Sequence, residues 1–88
     1  MNYLDGQEIR LGDKVVFPRE VPDSYGIVVF SIDTDEYSAE YPKKGWEYLE
    51  KGVMIDTTWG GLVHYSEPSD EFELVERNSK FKVIHKLD

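Results

Sequence analysis

The chain has no cysteine, so neither a disulfide nor a thiolate metal site can hold it together. Its 88 residues must therefore fold around one apolar core. A chain of this size buries roughly 60–65% of its unfolded surface, for a stability of about 5 kcal/mol. No apolar run approaches the ~20 residues of a membrane-spanning helix. The opening stretch MNYLDGQEIR lacks the basic and apolar regions of a secretory signal, and a cytoplasmic protein is expected. Histidine is scarce, at His64 and His85 only. No Gly-x-Ser-x-Gly elbow is present, and neither histidine has a nucleophile pattern around it, so no enzyme is expected. Asp33, Asp35 and Glu36 form a carboxylate cluster without the twelve-residue calcium-loop pattern, so no metal or other cofactor is expected.

Basic residues are also missing where acids gather. From Glu20 to Pro42 there are six acids and no lysine or arginine, and from Gly52 to Glu76 six more and again no base. The segment from Arg77 to Asp88 reverses the sign, with Arg77, Lys80, Lys82 and Lys86 against Asp88. Overall, 18 acids against 10 bases give a net charge of −8. Such a field repels nucleic acid and anionic membrane and attracts a basic partner. Direct contact with nucleic acid or membrane is not expected. The competing explanation for the charge is solubility alone.

What the chain does have is strand-forming sequence. Gly52 to Tyr65, GVMIDTTWGGLVHY, reads as a β-hairpin around Gly60-Gly61, because glycines supply the positive φ of a tight turn. An even-numbered loop would put Val53, Ile55, Thr57, Leu62 and His64 on one face and Met54, Asp56, Val63 and Tyr65 on the other. A three-residue loop would change that partnering. Asp5-Gly6 predicts a small N-terminal hairpin. Leu11 to Phe17 predicts a turn into a strand stopped by Pro18, and Gly26 to Ile32 a central strand buried on both sides. Residues 33–52 read as a long loop with a helical turn begun by Pro42, carrying Trp46 and Leu49 on one side. Phe72 and Leu74 alternate with Glu71 and Glu73 in a half-exposed strand, and residues 80–87 suggest a last one.

The pattern Leu11-Gly12-Asp13-Lys14-Val15 followed by Gly26-Ile27-Val28-Val29 resembles the opening strands of SH3-like barrels. Five or six short strands at roughly ten-residue spacing fit that class. The expected fold is mainly β. It is a small SH3-like barrel or a strongly bent antiparallel sheet of five to six strands, with one short helical turn near residues 42–50. A single domain over 1–88 is expected.

The remaining feature is a mixture of acids and flat rings. Asp33, Asp35, Glu36, Tyr37, Glu40, Tyr41, Trp46, Trp59, Glu67 and Asp70 are the candidate partner-binding residues, and Tyr48 falls among them. Tyrosine and tryptophan anchor protein interfaces, and charges around them speed encounter. Trp46 could equally serve as a cover for the sheet, whereas Trp59, placed at a turn, is expected to be exposed.

The combination Tyr3-x-Asp5-Gly6-x-Glu8-Ile9-x-Leu11-Gly12-Asp13-x-Val15, Gly26-x-Val28-Val29, Trp46, Gly52 and Gly60-Gly61-Leu62-Val63-x-Tyr65 resembles small immunity proteins of bacterial polymorphic toxin systems. These are often encoded beside Rhs-type or contact-dependent toxins, which they bind and block. The resemblance implies a cognate toxin partner, basic and frequently a nuclease, whose cleft the acidic chain would fill in place of a phosphate backbone. It transfers no catalytic residue. The alternative is an SH3-like adaptor that reads a proline-rich peptide with Trp59, Tyr65 and Pro68. The Ala-Leu-Tyr-Asp-Tyr strand and paired tryptophans of that class are missing.

Overall fold

The computed structural model describes residues 1–77. The strand expected over 80–87 lies outside the described residues. Five strands form: β1 (Lys14–Val16), β2 (Tyr25–Ser31), β3 (Val53–Thr57), β4 (Gly61–Tyr65) and β5 (Glu73–Glu76). Between β2 and β3 come one helical turn, α1 (Lys43–Trp46), and a 3-10 turn over Glu47–Leu49, where the sequence places them. All neighbouring strands are antiparallel, in the order β4-β3-β2-β1-β5, and among the described residues the sheet stays open. Among the described residues the expected mainly β fold is present as one open antiparallel sheet of five strands.

β2 is central, as its long apolar run predicts, and it buries side chains on both faces. One face, with Val15, Val28, Val53 and Ile55, meets the main core. The other four core residues, Tyr3, Ile9, Phe17 and Phe72, come from outside the strands. At about 1.5–3 kcal/mol for each fully buried large apolar side chain, the connections contribute as much to the core as the sheet does. Their anchoring is therefore a condition for folding.

The N-terminal anchor begins at the Asp5-Gly6 turn. Gly6 has φ +92°, and the Tyr3 N–H donates to the Gln7 carbonyl at 2.8 Å. The hairpin turns Tyr3 and Ile9 inward. The Tyr3 hydroxyl then donates to the Asp13 carboxylate at 2.6 Å, which also accepts the Arg10 N–H at 2.9 Å and Arg77 Nη1 at 3.2 Å. Asp13 is fully buried, so this one carboxylate ties the N-terminal hairpin, the entry to β1 and the end of β5 together.

The β3–β4 hairpin corrects the expected faces. Val53 pairs with Tyr65, Ile55 with Val63 and Thr57 with Gly61, leaving the three-residue loop Thr58-Trp59-Gly60. Val63 and Tyr65 therefore share a face with Val53, Ile55 and Thr57, and Leu62 and His64 join Met54 and Asp56. The Thr57 hydroxyl fixes this geometry by accepting the Gly60 N–H at 3.0 Å and donating to the Gly61 carbonyl at 2.8 Å. Gly61, at φ +70°, supplies the single left-handed residue that such a loop requires.

Two phenols report on this packing. Burial first, and then the bond to Asp13, raises the Tyr3 pKa far above its ordinary value; burial and the bond to Glu71 do the same for Tyr65. An unfolded tyrosine ionises near pH 10. Above that pH the folded chain holds protons that the unfolded chain has lost. The stability due to these groups is thus complete below about pH 10 and falls as pH rises further. In an absorbance titration, Tyr3 and Tyr65 are expected to ionise only together with loss of the sheet signal in circular dichroism. Ionisation of all six tyrosines while the sheet persists would contradict this packing.

Candidate protein-binding surface

The site grows from an irregularity in β2. Val28 pairs with Ile55, but Phe30 pairs with Met54, so Val29 is an extra residue in the ladder. Regular alternation would put Phe30 beside Val28 in the main core. The bulge turns it to the opposite face instead. There it is fully buried by rings from the following segment. Tyr37 stacks on it with centroids 5.7 Å apart, Trp46 lies at 5.4 Å and Tyr41 at 6.4 Å.

Local chemistry returns these rings to the sheet. Ser31 and Glu36 exchange two main-chain hydrogen bonds of 2.9 Å, which bends the chain back just before Tyr37. Pro42 starts the helical turn at φ −74°, and the Gly45 N–H donates to its carbonyl at 3.0 Å. Trp46 then sits over Phe30, and Tyr48 stacks on Trp46 with centroids 6.4 Å apart and planes at 22°. Tyr37, Tyr41 and Trp46 are half-buried, while Tyr48 is 70% exposed. The result is a ledge of rings fixed from beneath and open at its outer end. Burial raises the pKa of the Tyr37 and Tyr41 phenols, which remain neutral donors at ordinary pH.

The acids of the candidate set are mostly engaged within the chain. Asp33 accepts the Gly52 N–H at 3.0 Å and lies 3.0 Å from the Met1 nitrogen; the Gly52 bond chiefly holds its pKa low. Burial opposes ionisation of Glu36, but bonds from Arg10 Nε at 2.8 Å, the Thr34 hydroxyl and the Leu11 N–H outweigh it and lower its pKa. Asp35 pairs with Lys43 at 3.0 Å, Glu67 with Lys51 and Asp70 with Arg19. Glu40 is exposed beside the ring segment, as are Glu47 and Glu50.

The structure brings together Asp33, Asp35, Glu36, Tyr37, Glu40, Tyr41 and Trp46 in the β2–β3 connection. Trp59 stands apart, at the far end of β3. It is 42% exposed, and its ring packs edge-on against Phe17 at 5.5 Å. Glu67 and Asp70 lie in the β4–β5 connection. Tyr48, which the sequence places among the acids and rings, completes the ledge, although residues two apart in a helical segment do not ordinarily share a face. His64 Nε2 lies 2.9 Å from the Lys51 carbonyl, a contact that joins β4 to the end of the ring segment.

Compared with protein-family models, curated proteins and solved structures, the chain matches none. Among the described residues, no group of three or more His, Asp or Glu side chains is placed to hold a metal ion. Nor is any helix there long and apolar enough to cross a membrane.

Proposed function

We propose that the chain is an immunity protein, which binds a cognate bacterial toxin domain and blocks its active cleft, with the ring ledge as its anchor. The observation that carries this reading is Tyr48, exposed and stacked on a Trp46 that Phe30 holds in place. A ring fixed before binding loses little freedom when a partner covers it, which is how interface anchors reach high affinity. Charge supports the same reading. Internal ion pairs cancel equal numbers of both signs, so the field a partner meets at a distance still carries the net −8. A basic toxin, above all a nuclease whose cleft accepts phosphate, is the partner such a field favours. The adaptor alternative has less support: the Tyr65 ring is turned inward at 4.8 Å from Phe72, and its hydroxyl donates to Glu71 at 3.0 Å.

The test is co-expression with the toxin domain encoded next to this chain's gene, followed by binding of the purified pair. Growth rescue is expected, with an association rate that drops steeply as salt rises. Tyr48→Ala should weaken binding by about thirtyfold or more, the loss typical of an interface hot spot, without lowering the melting temperature. No rescue by the intact chain, or full affinity in both Tyr48→Ala and Trp46→Ala, would overturn the proposal.

A further inference from the structure

A second concave site lies away from the ledge, between the N-terminal turn and the start of β5. It is a cavity of about 310 Å³ with Leu4, Phe72 and Leu74 in its lining and Asp5, Asp70 and Glu73 around them. That volume is at the small end for ligand sites and suits one long side chain better than a cofactor. Arg19 also lines the cavity: its Nη2 donates to the Asp70 carbonyl and lies 3.6 Å from the Asp70 carboxylate. The site thus already holds one guanidinium, at its Asp70 side. The Asp5 carboxylate accepts from its own turn, the Gln7 N–H at 3.0 Å and the Gln7 side-chain amide at 2.8 Å, and Arg77 adds a weaker attraction through charge. Glu73 is exposed on β5, and Leu4 is 70% exposed above the apolar lining.

We propose that this cavity is a docking site for an arginine-bearing segment of a protein partner. The aliphatic stem would lie on Leu4 and Leu74, above the buried Phe72, with the guanidinium towards Asp5 and Glu73. Arginine suits the site because its flat head is weakly hydrated and donates in a fork, while its stem covers apolar surface. Three carboxylates against one base make the rim complementary to such a cation. A cluster of acids facing only water would hold no particular side chain; here the apolar lining and the resident Arg19 define where one fits. The site shares no residue with the ledge, so either assignment can fail while the other stands.

The test is an NMR titration of the full chain with a blocked Leu-Arg-Arg-Leu peptide, and with Leu-Glu-Glu-Leu as control. Saturable shifts are expected at the Leu4 and Leu74 methyls and the Asp5 amide with the arginine peptide alone, weakening as salt screens the rim. The Asp5→Asn/Glu73→Gln double variant should bind about tenfold more weakly. Glu73→Gln alone alters only an exposed side chain and should weaken binding in the same direction without disturbing the fold. Shifts spread over all acidic residues or confined to the Trp46–Tyr48 ledge would overturn the proposal. So would unchanged affinity in the variants, or no saturable shift, as expected of a cavity filled by residues 78–88 or by a second copy.

Discussion

Replacing Asp13 with alanine is expected to leave most of the protein unfolded at room temperature. The carboxylate is fully buried and accepts from the Tyr3 hydroxyl, the Arg10 N–H and Arg77 Nη1. Alanine would strand the Tyr3 hydroxyl and the Arg10 N–H, which hold the segment that delivers Tyr3 and Ile9 to the core, while Arg77 Nη1 keeps its bond to the Glu8 carbonyl at 2.8 Å. Each buried donor left without an acceptor costs about 1–3 kcal/mol. Total stability for a domain of this size is only about 5 kcal/mol, so little would remain. Asp13→Asn keeps the shape and one acceptor and should fall between the two. Tyr3→Phe combined with Asp13→Ala should cost less than the sum of the single changes, because both remove the same bond. Urea unfolding followed by tryptophan fluorescence reads these differences. A loss below about 1 kcal/mol for Asp13→Ala, ordinary for any single substitution, would show that the carboxylate does not hold these segments.

Much of the sheet was legible because local signals and tertiary demands agree. The apolar run from Gly26 predicts the central strand, Asp5-Gly6 the first turn, and Pro42 the helical turn. The hairpin was legible as an element but not in its register. A glycine at positive φ serves a two-residue or a three-residue loop equally well, and the choice fell to the Thr57 hydroxyl, which no spacing rule weighs. The side of the sheet on which Phe30 lies was not legible either. Nothing in Gly26-Ile27-Val28-Val29-Phe30-Ser31 marks Val29 as the extra residue, yet the whole ledge depends on that bulge. Among the candidate residues, the rings Tyr37, Tyr41 and Trp46 could be read as a group because they lie close in sequence. Which acids remain available could not. Glu36 is committed to Arg10 and Asp33 to Gly52, and pairings across such separations are settled by the fold, not by composition.

Both faces of the sheet depend on the connection between β2 and β3 closing correctly, and Gly52 is where it closes. Its N–H donates to Asp33 at 3.0 Å, and its carbonyl accepts the Ile32 N–H at 2.9 Å. It does this at φ +97°, a conformation that side chains resist. A Cβ there would press on the Tyr65 carbonyl and come within 2.8 Å of the Ser66 Cα. Those are main-chain atoms at the end of β4 and cannot swing aside. Gly52→Ala is therefore expected to cost on the order of 3 kcal/mol or more, from backbone strain and overpacking together. For a domain of this size that lowers the melting temperature by roughly 12 °C or more. Gly6→Ala is the matched control. Its φ of +92° is nearly the same, but a Cβ there would meet nothing within 4 Å. Strain alone should cost about 1 kcal/mol. Thermal unfolding of the two variants separates conformation from crowding, and equal losses would mean that β4 does not approach Gly52 as closely as described. Because Gly52 ends the segment that carries Trp46, its substitution should also shift tryptophan emission below the melting transition, while Gly6→Ala should leave it unchanged.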